Sequence, residues 1–302
     1  MTQPGKLFCF GLGYSAERLA AALAAEGWTV AGTSRTKDQA ETLRGLGYDM
    51  HVFDGGDEVP GGGAAWLDGV THVLSSVPPG GGGEPVAGPF GAALAGLGSL
   101  VWLGYLSTTG VYGNTDGAWV DETAPAQPDV GRSERRGAAE AAWQELAAGH
   151  ALPLHIFRLA GIYGPGRNVL AQAKAGRARR IDKPGHRFSR IHVDDIARVL
   201  RASMASPEIN SDHPGAVYNV CDDEPAAPAE VTAFACELLG IDPPPLVAFA
   251  DAAQDMSPMG LSFWNDKRRV RNDKIKDQLG VRLLYPTYRE GLRAIYTAEF
   301  AS

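Results

Sequence analysis

The sequence predicts a doubly wound α/β fold, in which helices cover both faces of a parallel sheet, with a smaller lobe toward the carboxyl end. Three observations predict it. Apolar runs of strand length alternate with helical patterns, a glycine-rich turn joins the first run to the first helix, and helical patterns dominate after about residue 222. Strands that alternate with helices need crossover connections, and these favour parallel pairing.

Six apolar runs bounded by glycine or proline have the length and composition of strands. The predicted strands are 6–10, 29–33, 71–77, 100–107, 153–159 and 216–220. Helical periodicity is found over 14–26, 135–147 and 194–204. The glycine-rich pieces at 55–56, 61–63 and 80–83 predict loops.

A glycine-rich turn follows the first predicted strand. In "KLFCFGLGYSAERLAAAL", Gly11, Gly13 and Ala16 form a G-x-G-x-x-A pattern that opens a helix, and a second strand follows. Gly11 allows a tight turn, Gly13 lets a diphosphate approach the backbone, and Ala16 lets helix and strand pack closely. The helix start at Tyr14 and Ser15 presents amide groups to the phosphates. This context predicts a Rossmann-type dinucleotide site, with a purely structural turn as the alternative.

The end of the second strand indicates which dinucleotide binds. An NAD site usually places Asp or Glu there, whereas this chain has Thr33, Ser34 and Arg35. A guanidinium and two hydroxyls suit a ribose 2′-phosphate, through charge-assisted hydrogen bonds. The strand end therefore favours NADP, with NAD possible; Arg35 as a solvated loop residue is the other interpretation.

The pattern also predicts how the chain divides into two parts. We expect a Rossmann dinucleotide-binding domain over 1–168, continued by 190–222, and a smaller, mainly helical substrate-binding lobe over 169–189 and 223–302. The lobe assignment rests on two helical stretches that flank the proline-rich "DPPPL", namely "PAAPAEVTAFACELLG" and "YREGLRAIYTAEF".

Composition excludes several classes of function. The 302 residues are 44% hydrophobic and 21% charged, which is enough for a sizeable core. A net charge of −7 argues against a protein that coats nucleic acid. No run of about 18 apolar residues predicts a membrane span, and the first residues lack a secretory pattern, so we expect a cytoplasmic protein. Cys9, Cys221 and Cys236 have no ligand spacing, which predicts buried thiols and no metal site.

Further stretches carry a family resemblance. They are "LSTTGVYG" (106–113), "FRLAGIYGPGRN" (157–168), "RIHVDDIARVL" (190–200) and "VYNVCDDEPAAPAEV" (217–231). In this order and spacing they resemble the extended short-chain dehydrogenase/reductase superfamily, the NAD(P)-dependent nucleotide-sugar epimerases and dehydratases. "HVFDGGD" fits too, because Asp54 and Asp57 resemble the family's D-x-x-D beside the adenine, and "NDKRRVRNDKIKDQLG" resembles its late substrate-lobe segment.

The resemblance implies further cofactor contacts. Ser75, Ser76 and Val77 match the strand end that passes under the cofactor. Ala160 and Gly161 match the segment near the nicotinamide.

The resemblance also implies catalytic residues. Thr108 falls on the family's catalytic Ser/Thr, whose hydroxyl hydrogen-bonds the reacting oxygen; a β-branched residue ending a strand is the alternative. Tyr163 matches the Y-G-P turn, or is an ordinary packed tyrosine. His192 is expected to be structural, and Asp194 and Asp195 to cap the following helix.

One helix departs from the family pattern. The family carries Y-x-x-x-K there, followed by small residues and Glu; in "GRSERRGAAEAAW" the tyrosine position is Arg132 and the lysine position is Arg136. Arginine stays protonated, so it can stabilise an oxyanion but cannot take and return a proton. Arg136 could still supply the positive charge and the ribose contact of the lysine.

The resemblance implies an anionic or sugar-like small molecule as substrate. The residues expected to bind it are Tyr112, Arg167, Asn168, Arg187 and Arg190. The basic stretch "KAGRARRIDKPGHRFSR" within an acidic chain also favours an anionic substrate, although charge runs are usually solvated.

Two classes of function follow. The first is an NAD(P)-dependent epimerase, dehydratase or reductase in which Thr108, Glu134, Tyr112 or Tyr163 handles the proton and Arg132 stabilises negative charge. The second is a non-catalytic NADP-binding sensor or regulatory protein, favoured by the missing tyrosine. A structural role for the cofactor is a third, weaker alternative. The resemblance implies that a homodimer is possible. No nucleic acid and no membrane is expected as a partner, because of the net charge and the lack of a long apolar run.

Overall fold

Seven parallel strands form the central sheet of the computed structural model, which describes residues 4–56, 59–128, 131–206 and 216–301. The strands are β1 (Lys6–Phe10), β2 (Thr29–Ser34), β3 (Asp49–Val52), β4 (His72–Ser75), β5 (Trp102–Thr108), β7 (Leu154–Leu159) and β11 (Ala216–Val220). Their order is β11-β7-β5-β4-β1-β2-β3, and every pair is parallel. The predicted doubly wound α/β fold is confirmed. The chain order reverses at β1 and β4, which opens a crevice at the carboxyl ends of these strands.

Helices cover both faces of the sheet. They include α1 (Tyr14–Ala24), α2 (Lys37–Gly45), α3 (Ala87–Ala95), α4 (Arg132–His150) and α6 (Val193–Met204). Leu19 of α1 and Leu200 of α6 lie in the core on one face, whereas Phe90 of α3 and Trp143 of α4 lie in the core on the other.

The remaining elements build the second lobe and its connections. The helices are α5 (Val169–Lys174), α7 (Pro228–Leu239), α8 (Phe249–Ala252), α9 (Pro258–Asn265), α10 (Asp273–Asp277) and α11 (Tyr288–Glu299). Short parallel strand pairs join β8 (Gly161–Tyr163) to β10 (Arg190–His192), β9 (Arg180–Asp182) to β12 (Leu246–Ala248), and β6 (Trp119–Val120) to β13 (Arg269–Val270). Leu170, Val231 and Leu292 pack together from α5, α7 and α11. The domain boundaries given above stay predictions.

Two local predictions are wrong. The predicted strands do not include β3. Only Met50 of its four residues is buried, so the sequence lacks the alternation of buried and exposed residues that predicts a strand. The loop predicted at 61–63 is part of a 3₁₀ helix, Pro60–Leu67. No helix in the described ranges is long and apolar enough to cross a lipid bilayer. The three cysteines are buried.

Candidate active site

A cavity of about 970 Å³ lies at the carboxyl ends of the central strands, between the sheet and the second lobe. Seventeen of the predicted site residues line it. They are Gly11, Gly13, Tyr14, Ser15, Ser34, Arg35, Ser76, Val77, Thr108, Arg132, Arg136, Ala160, Gly161, Tyr163, Arg167, Arg187 and Arg190. Five others do not line it: Ala16, Asp54, Ser75, Tyr112 and Asn168. The structure thus brings residues predicted to bind the cofactor, to act in catalysis and to bind the substrate together in one cavity.

The glycine turn opens toward this cavity. Gly11 has a φ of +76°, and a Cβ atom there would lie 3.0 Å from Val77 Cγ2, so this position requires glycine. Its N–H donates to Thr33 Oγ1 at 2.9 Å, and its carbonyl accepts from the Ser76 hydroxyl. At Gly13 the nearest atom to an added Cβ is the Gly11 carbonyl oxygen, at 3.9 Å. The backbone at Gly13 is therefore open to a ligand.

The start of α1 has the features of a diphosphate site. Gly13 precedes the helix and no side chain caps it. The Tyr14 hydroxyl donates to the Pro165 carbonyl at 3.0 Å, and the Arg167 guanidinium carbon lies 5.8 Å from the Tyr14 ring centroid. An uncapped helix start beside an open glycine and a nearby guanidinium fits the phosphates of a dinucleotide.

Thr33, Ser34 and Arg35 at the end of β2 were expected to bind the ribose phosphate, and Thr33 is the one whose predicted role is not supported. Thr33 is fully buried and its hydroxyl accepts from Gly11, so it cannot face a ligand. The Ser34 hydroxyl donates to the Thr36 carbonyl at 2.9 Å. Arg35 is exposed and lines the cavity. Arg35 is thus the cation at this end of the cavity.

Asp54, one of the two acidic residues expected beside the adenine, does not line the cavity. Asp54 is exposed, and its carboxylate accepts from the Gly56 amide at 2.9 Å. Phe53 lines the cavity instead. Asp57 lies outside the described residues. Ser75 is fully buried within β4, and Ala16 packs in the core under α1.

Thr108 is the last residue of β5 and lines the cavity. Its Oγ1 accepts from the Gly110 amide at 3.1 Å, which leaves the hydroxyl hydrogen able to donate. A Cβ built on Gly110 would lie 3.4 Å from both Thr108 Oγ1 and Ser133 Oγ. The first turn of α4 therefore lies against Thr108.

The two arginines of α4 that line the cavity are held differently. Arg136 Nη1 donates to the Leu106 carbonyl at 2.9 Å and to the Tyr105 hydroxyl at 3.0 Å, which ties it to β5. Arg132 is exposed, and its guanidinium carbon lies 5.8 Å from the Phe263 ring centroid. Both present positive charge to the cavity that contains Thr108.

Three residues considered for proton transfer do not direct their polar atoms toward Thr108. Tyr163 packs its buried hydroxyl against Gly291 of α11, where an added Cβ would collide with it, and burial raises its pKa. Tyr112 donates to Asn219 Oδ1 at 2.8 Å inside the core. The exposed Glu134 accepts from the Gly131 amide at 3.3 Å. The expectation that one of them is the acid or base at Thr108 has no geometric support.

His192 is structural, whereas the expected role of the two aspartates is wrong. His192 Nδ1 accepts from the Asp194 amide at 3.2 Å and itself caps α6. Burial lowers the His192 pKa to about 4. Asp195 accepts from the amides of Leu284 and Tyr285, which ties the segment before α11 to α6.

The predicted substrate residues are distributed more widely than expected. Arg187 Nη1 contacts Glu230 Oε2 at 3.4 Å, and Arg190 Nη1 donates to the carbonyls of Phe188 and Ala226. Asn168 is buried and caps α5, accepting from the Ala171 amide at 2.9 Å. Its predicted contact with substrate is therefore not supported.

Sequence reasoning missed a cavity ion pair. Arg268 and Asp266 line the cavity with their side chains 2.7 Å apart, and Arg268 Nη1 also donates to the Gly113 carbonyl at 2.9 Å. The charged stretch "NDKRRVRNDK" is the only signal in the sequence.

A buried polar network behind Thr108 was also missed. Ser107 Oγ donates to Glu140 Oε1 at 2.5 Å, and Arg158 Nη2 donates to Glu140 Oε2 at 2.7 Å. The Arg158 guanidinium carbon lies 4.7 Å from the Tyr112 ring centroid. Because Glu140 belongs to α4 and Ser107 to β5, the network fixes the helix against the strand that carries Thr108.

Comparison with known proteins gives two levels of similarity. No protein-family model matches the chain. A structure of a functionally unknown conserved protein from Silicibacter pomeroyi is 51% identical, with a TM-score of 0.87 over 97% of this chain and 99% of that one. Protein YeeZ of Escherichia coli K12 is 29% identical over 252 residues, 79% of this chain and 85% of YeeZ. A UDP-glucuronic acid 4-epimerase from Bacillus cereus in complex with NAD is 16% identical, with a TM-score of 0.75 over 97% of each chain.

Proposed function

Because the chain belongs to the same family as the Silicibacter pomeroyi protein and has the fold of the NAD-dependent epimerases and dehydratases of the extended short-chain dehydrogenase/reductase superfamily, we propose that it is an NADP-dependent enzyme. Its substrate is a small anionic or sugar-like molecule with a carbonyl or hydroxyl group. The observation that supports this proposal most directly is that Gly13 of the open glycine turn, Thr108 and Arg136 line one cavity.

Residues at the carboxyl ends of the strands, and the helix start that follows β1, would hold the cofactor. Gly11, Gly13 and the uncapped start of α1 would bind the diphosphate, with Arg167 nearby. Val77 and Gly161 also line the cavity and would contact the nicotinamide half of the cofactor. When bound, a nicotinamide dinucleotide supplies a hydride donor or acceptor.

Thr108 and Arg136 would act on the substrate oxygen. The Thr108 hydroxyl, which accepts from the Gly110 amide, can donate its hydrogen to that oxygen. Arg136 is fixed by two hydrogen bonds to β5, and its permanent charge would stabilise negative charge that develops nearby. Tyr112, Tyr163 and Glu134 hold their polar atoms in other contacts. We therefore propose that Thr108 keeps its hydrogen and that solvent water supplies the proton that a reduced carbonyl oxygen takes up, leaving hydroxide.

The preference for NADP rests on the end of β2. Arg35 is the only charged side chain among the described residues that line the cavity next to Ser34 and Thr36. A guanidinium there favours a 2′-phosphate over a free hydroxyl, and the carboxylate typical of NAD sites is missing. The UDP-glucuronic acid 4-epimerase from Bacillus cereus was crystallised in complex with NAD, and substitution of Arg35 distinguishes the two cofactors for this chain.

The proposed activity is tested by turnover. Purified protein is assayed for cofactor oxidation or reduction, and for isotope exchange, across nucleotide sugars and simple carbonyl compounds. Thr108→Val should reduce kcat at least 100-fold, because one transition-state hydrogen bond is lost. Thr297→Val, an exposed threonine on α11, is the matched control and should keep full activity. Unchanged turnover in Thr108→Val would overturn the assignment of the site.

A non-catalytic NADP-binding sensor is the second candidate. It is favoured by the contacts of Tyr112, Tyr163 and Glu134, whose polar atoms lie against Asn219, Gly291 and the Gly131 amide. Tight NADPH binding together with no turnover of any substrate in the panel would support it over the enzyme.

A further inference from the structure

Three guanidinium groups line the cavity without donating a hydrogen bond or forming an ion pair to any residue in the described ranges: those of Arg35, Arg132 and Arg167. Arg35 follows β2, and Arg167 lies over Tyr14 at the start of α1. The proposed dinucleotide provides an anionic partner for both, a 2′-phosphate and a diphosphate. The proposed cofactor contacts assign no phosphate to Arg132, whose guanidinium carbon lies 5.8 Å from the ring centroid of Phe263.

The charge of the cavity is strongly positive. Among the described lining residues seven are arginine, and the only acidic one is Asp266. Asp266 is already paired with Arg268 at 2.7 Å. Since the whole chain has a net charge of −7, this excess of cations is local and favours an anionic ligand beside Arg132.

Arg132 is held close to the reacting centre by its neighbours on α4. Ser133 Oγ and Thr108 Oγ1 both lie 3.4 Å from one point beside Gly110, so the residue before Ser133 starts next to Thr108. Arg136, one helical turn later, is bonded to the carbonyl of Leu106, two residues before Thr108. Side chains four apart on a helix share a face, and both arginines line the cavity.

We infer that Arg132 binds a carboxylate attached directly to the reacting carbon, so that the substrate is an α-oxo or α-hydroxy acid. This inference rests on the proposed function. A guanidinium binds a carboxylate through two parallel hydrogen bonds, and in such an acid the carboxylate is bonded to the carbon that bears the reacting oxygen. The phosphates of a nucleotide sugar are separated from the reacting carbon by most of a sugar ring. Cations that bind those phosphates would therefore lie farther from Thr108.

The test uses oxamate, a carboxylate that resembles a short α-oxo acid. Calorimetry measures the oxamate Kd of the full-length protein saturated with NADPH, for the wild type and for Arg132→Gln, Arg132→Lys and Arg135→Gln. Arg132→Gln should weaken oxamate binding about 10- to 100-fold, the range for a charge-assisted pair. Arg132→Lys should give an intermediate loss, because an ammonium keeps the charge but not the two-bond geometry. Arg135→Gln, the exposed neighbour outside the cavity, should leave the Kd unchanged.

Two results would overturn the inference alone. One is an oxamate Kd that is the same in Arg132→Gln as in the wild type, while both bind NADPH equally. The other is binding of neutral oxamide as tightly as oxamate to the NADPH-saturated wild type. Failure of the wild type to bind NADPH at all would instead overturn the proposed function, and with it this inference.

Discussion

Single residues decide which ligand groups the cavity can accept. Near the end of β2 the Thr33 hydroxyl accepts from the Gly11 amide, and Arg35, directly after the strand, is exposed at the cavity. The choice between a ribose hydroxyl and a 2′-phosphate then depends on one side chain.

Replacing Arg35 by alanine should remove the preference for NADPH. We expect the NADPH Kd to rise about tenfold, roughly 1.4 kcal/mol, and the NADH Kd to stay the same, because NADH lacks the phosphate that Arg35 would contact. Calorimetric titration measures both values. Lys37→Ala, an exposed cation two residues later, is the control and should change neither. Equal losses for NADPH and NADH would contradict the assignment of Arg35.

The two glycines of the turn should respond differently to alanine. Gly11→Ala should cost about 1–2 kcal/mol of folding free energy, because Gly11 has a φ of +76° and an added Cβ would contact Val77. Gly13→Ala should leave the free energy of unfolding within about 0.5 kcal/mol but weaken NADPH binding, since its Cβ enters open space at the diphosphate site. Urea unfolding and NADPH titration of both variants separate the effects. A Gly13→Ala protein that binds NADPH normally would argue against a diphosphate at this turn.

Residues that act through their backbone could be predicted from the sequence more accurately than residues whose role depends on the direction of a side chain. Gly11 and Gly13 could be identified because their roles follow from strand, turn and helix alone. Asn168, Tyr112 and Tyr163 match family positions, but their side chains point into a helix cap or the core. A linear motif carries no information on such packing.

At the scale of elements, helix α4 and strand β5 act as one unit. Glu140 of α4 is buried between Ser107 of β5 and Arg158 of β7. The sequence predicted the helix, but not this contact, because Arg158 lies 18 residues away within a fully buried strand.

Breaking this buried pair should destabilise the protein strongly. Glu140→Gln leaves the Arg158 charge buried without a carboxylate, which typically costs about 3–5 kcal/mol. Glu145→Gln, on the exposed side of the same helix, should cost less than about 0.5 kcal/mol. Urea unfolding at pH 7 compares the two. A loss below about 1 kcal/mol in Glu140→Gln would show that the pair does not hold α4 against the sheet.

At the scale of the whole molecule, stability depends on histidines that the fold keeps neutral. His155 is fully buried in β7, with Nδ1 bonded to the Ser203 hydroxyl. Burial lowers its pKa to about 4 from an ordinary 6.5. The unfolded chain therefore takes up the proton first as the pH falls, so the stability associated with neutral His155 is complete above pH 6.5 and is lost between pH 6.5 and about 4.

His155→Gln should reduce this pH dependence. The difference of about 2.5 pKa units corresponds to roughly 3 kcal/mol, so the wild type should lose up to that much more stability than the variant between pH 6.5 and 4. His150→Gln, an exposed histidine of α4, should keep the wild-type slope. Urea unfolding across this pH range measures the slopes. Parallel curves for all three proteins would mean that His155 is protonated equally in both states.

Residues after position 222 contribute Phe263, Asp266 and Arg268 to the cavity, and this could be predicted only in part. The parallel sheet followed from alternating strand and helix patterns. The ion pair of Asp266 with Arg268, and the place of Phe263 beside Arg132, come from the second lobe folding over the sheet, which no local pattern encodes. The expected homodimer and the cytoplasmic location stay predictions.

A crystal structure of the protein grown with NADPH tests the account most directly. We predict one dinucleotide in the cavity, with its 2′-phosphate at Arg35, its diphosphate at the start of α1 and its nicotinamide ring between Gly161 and Thr108. Arg132 should remain without contact to the cofactor. A cavity that stays empty at saturating NADPH, or a dinucleotide bound outside it, would contradict the account.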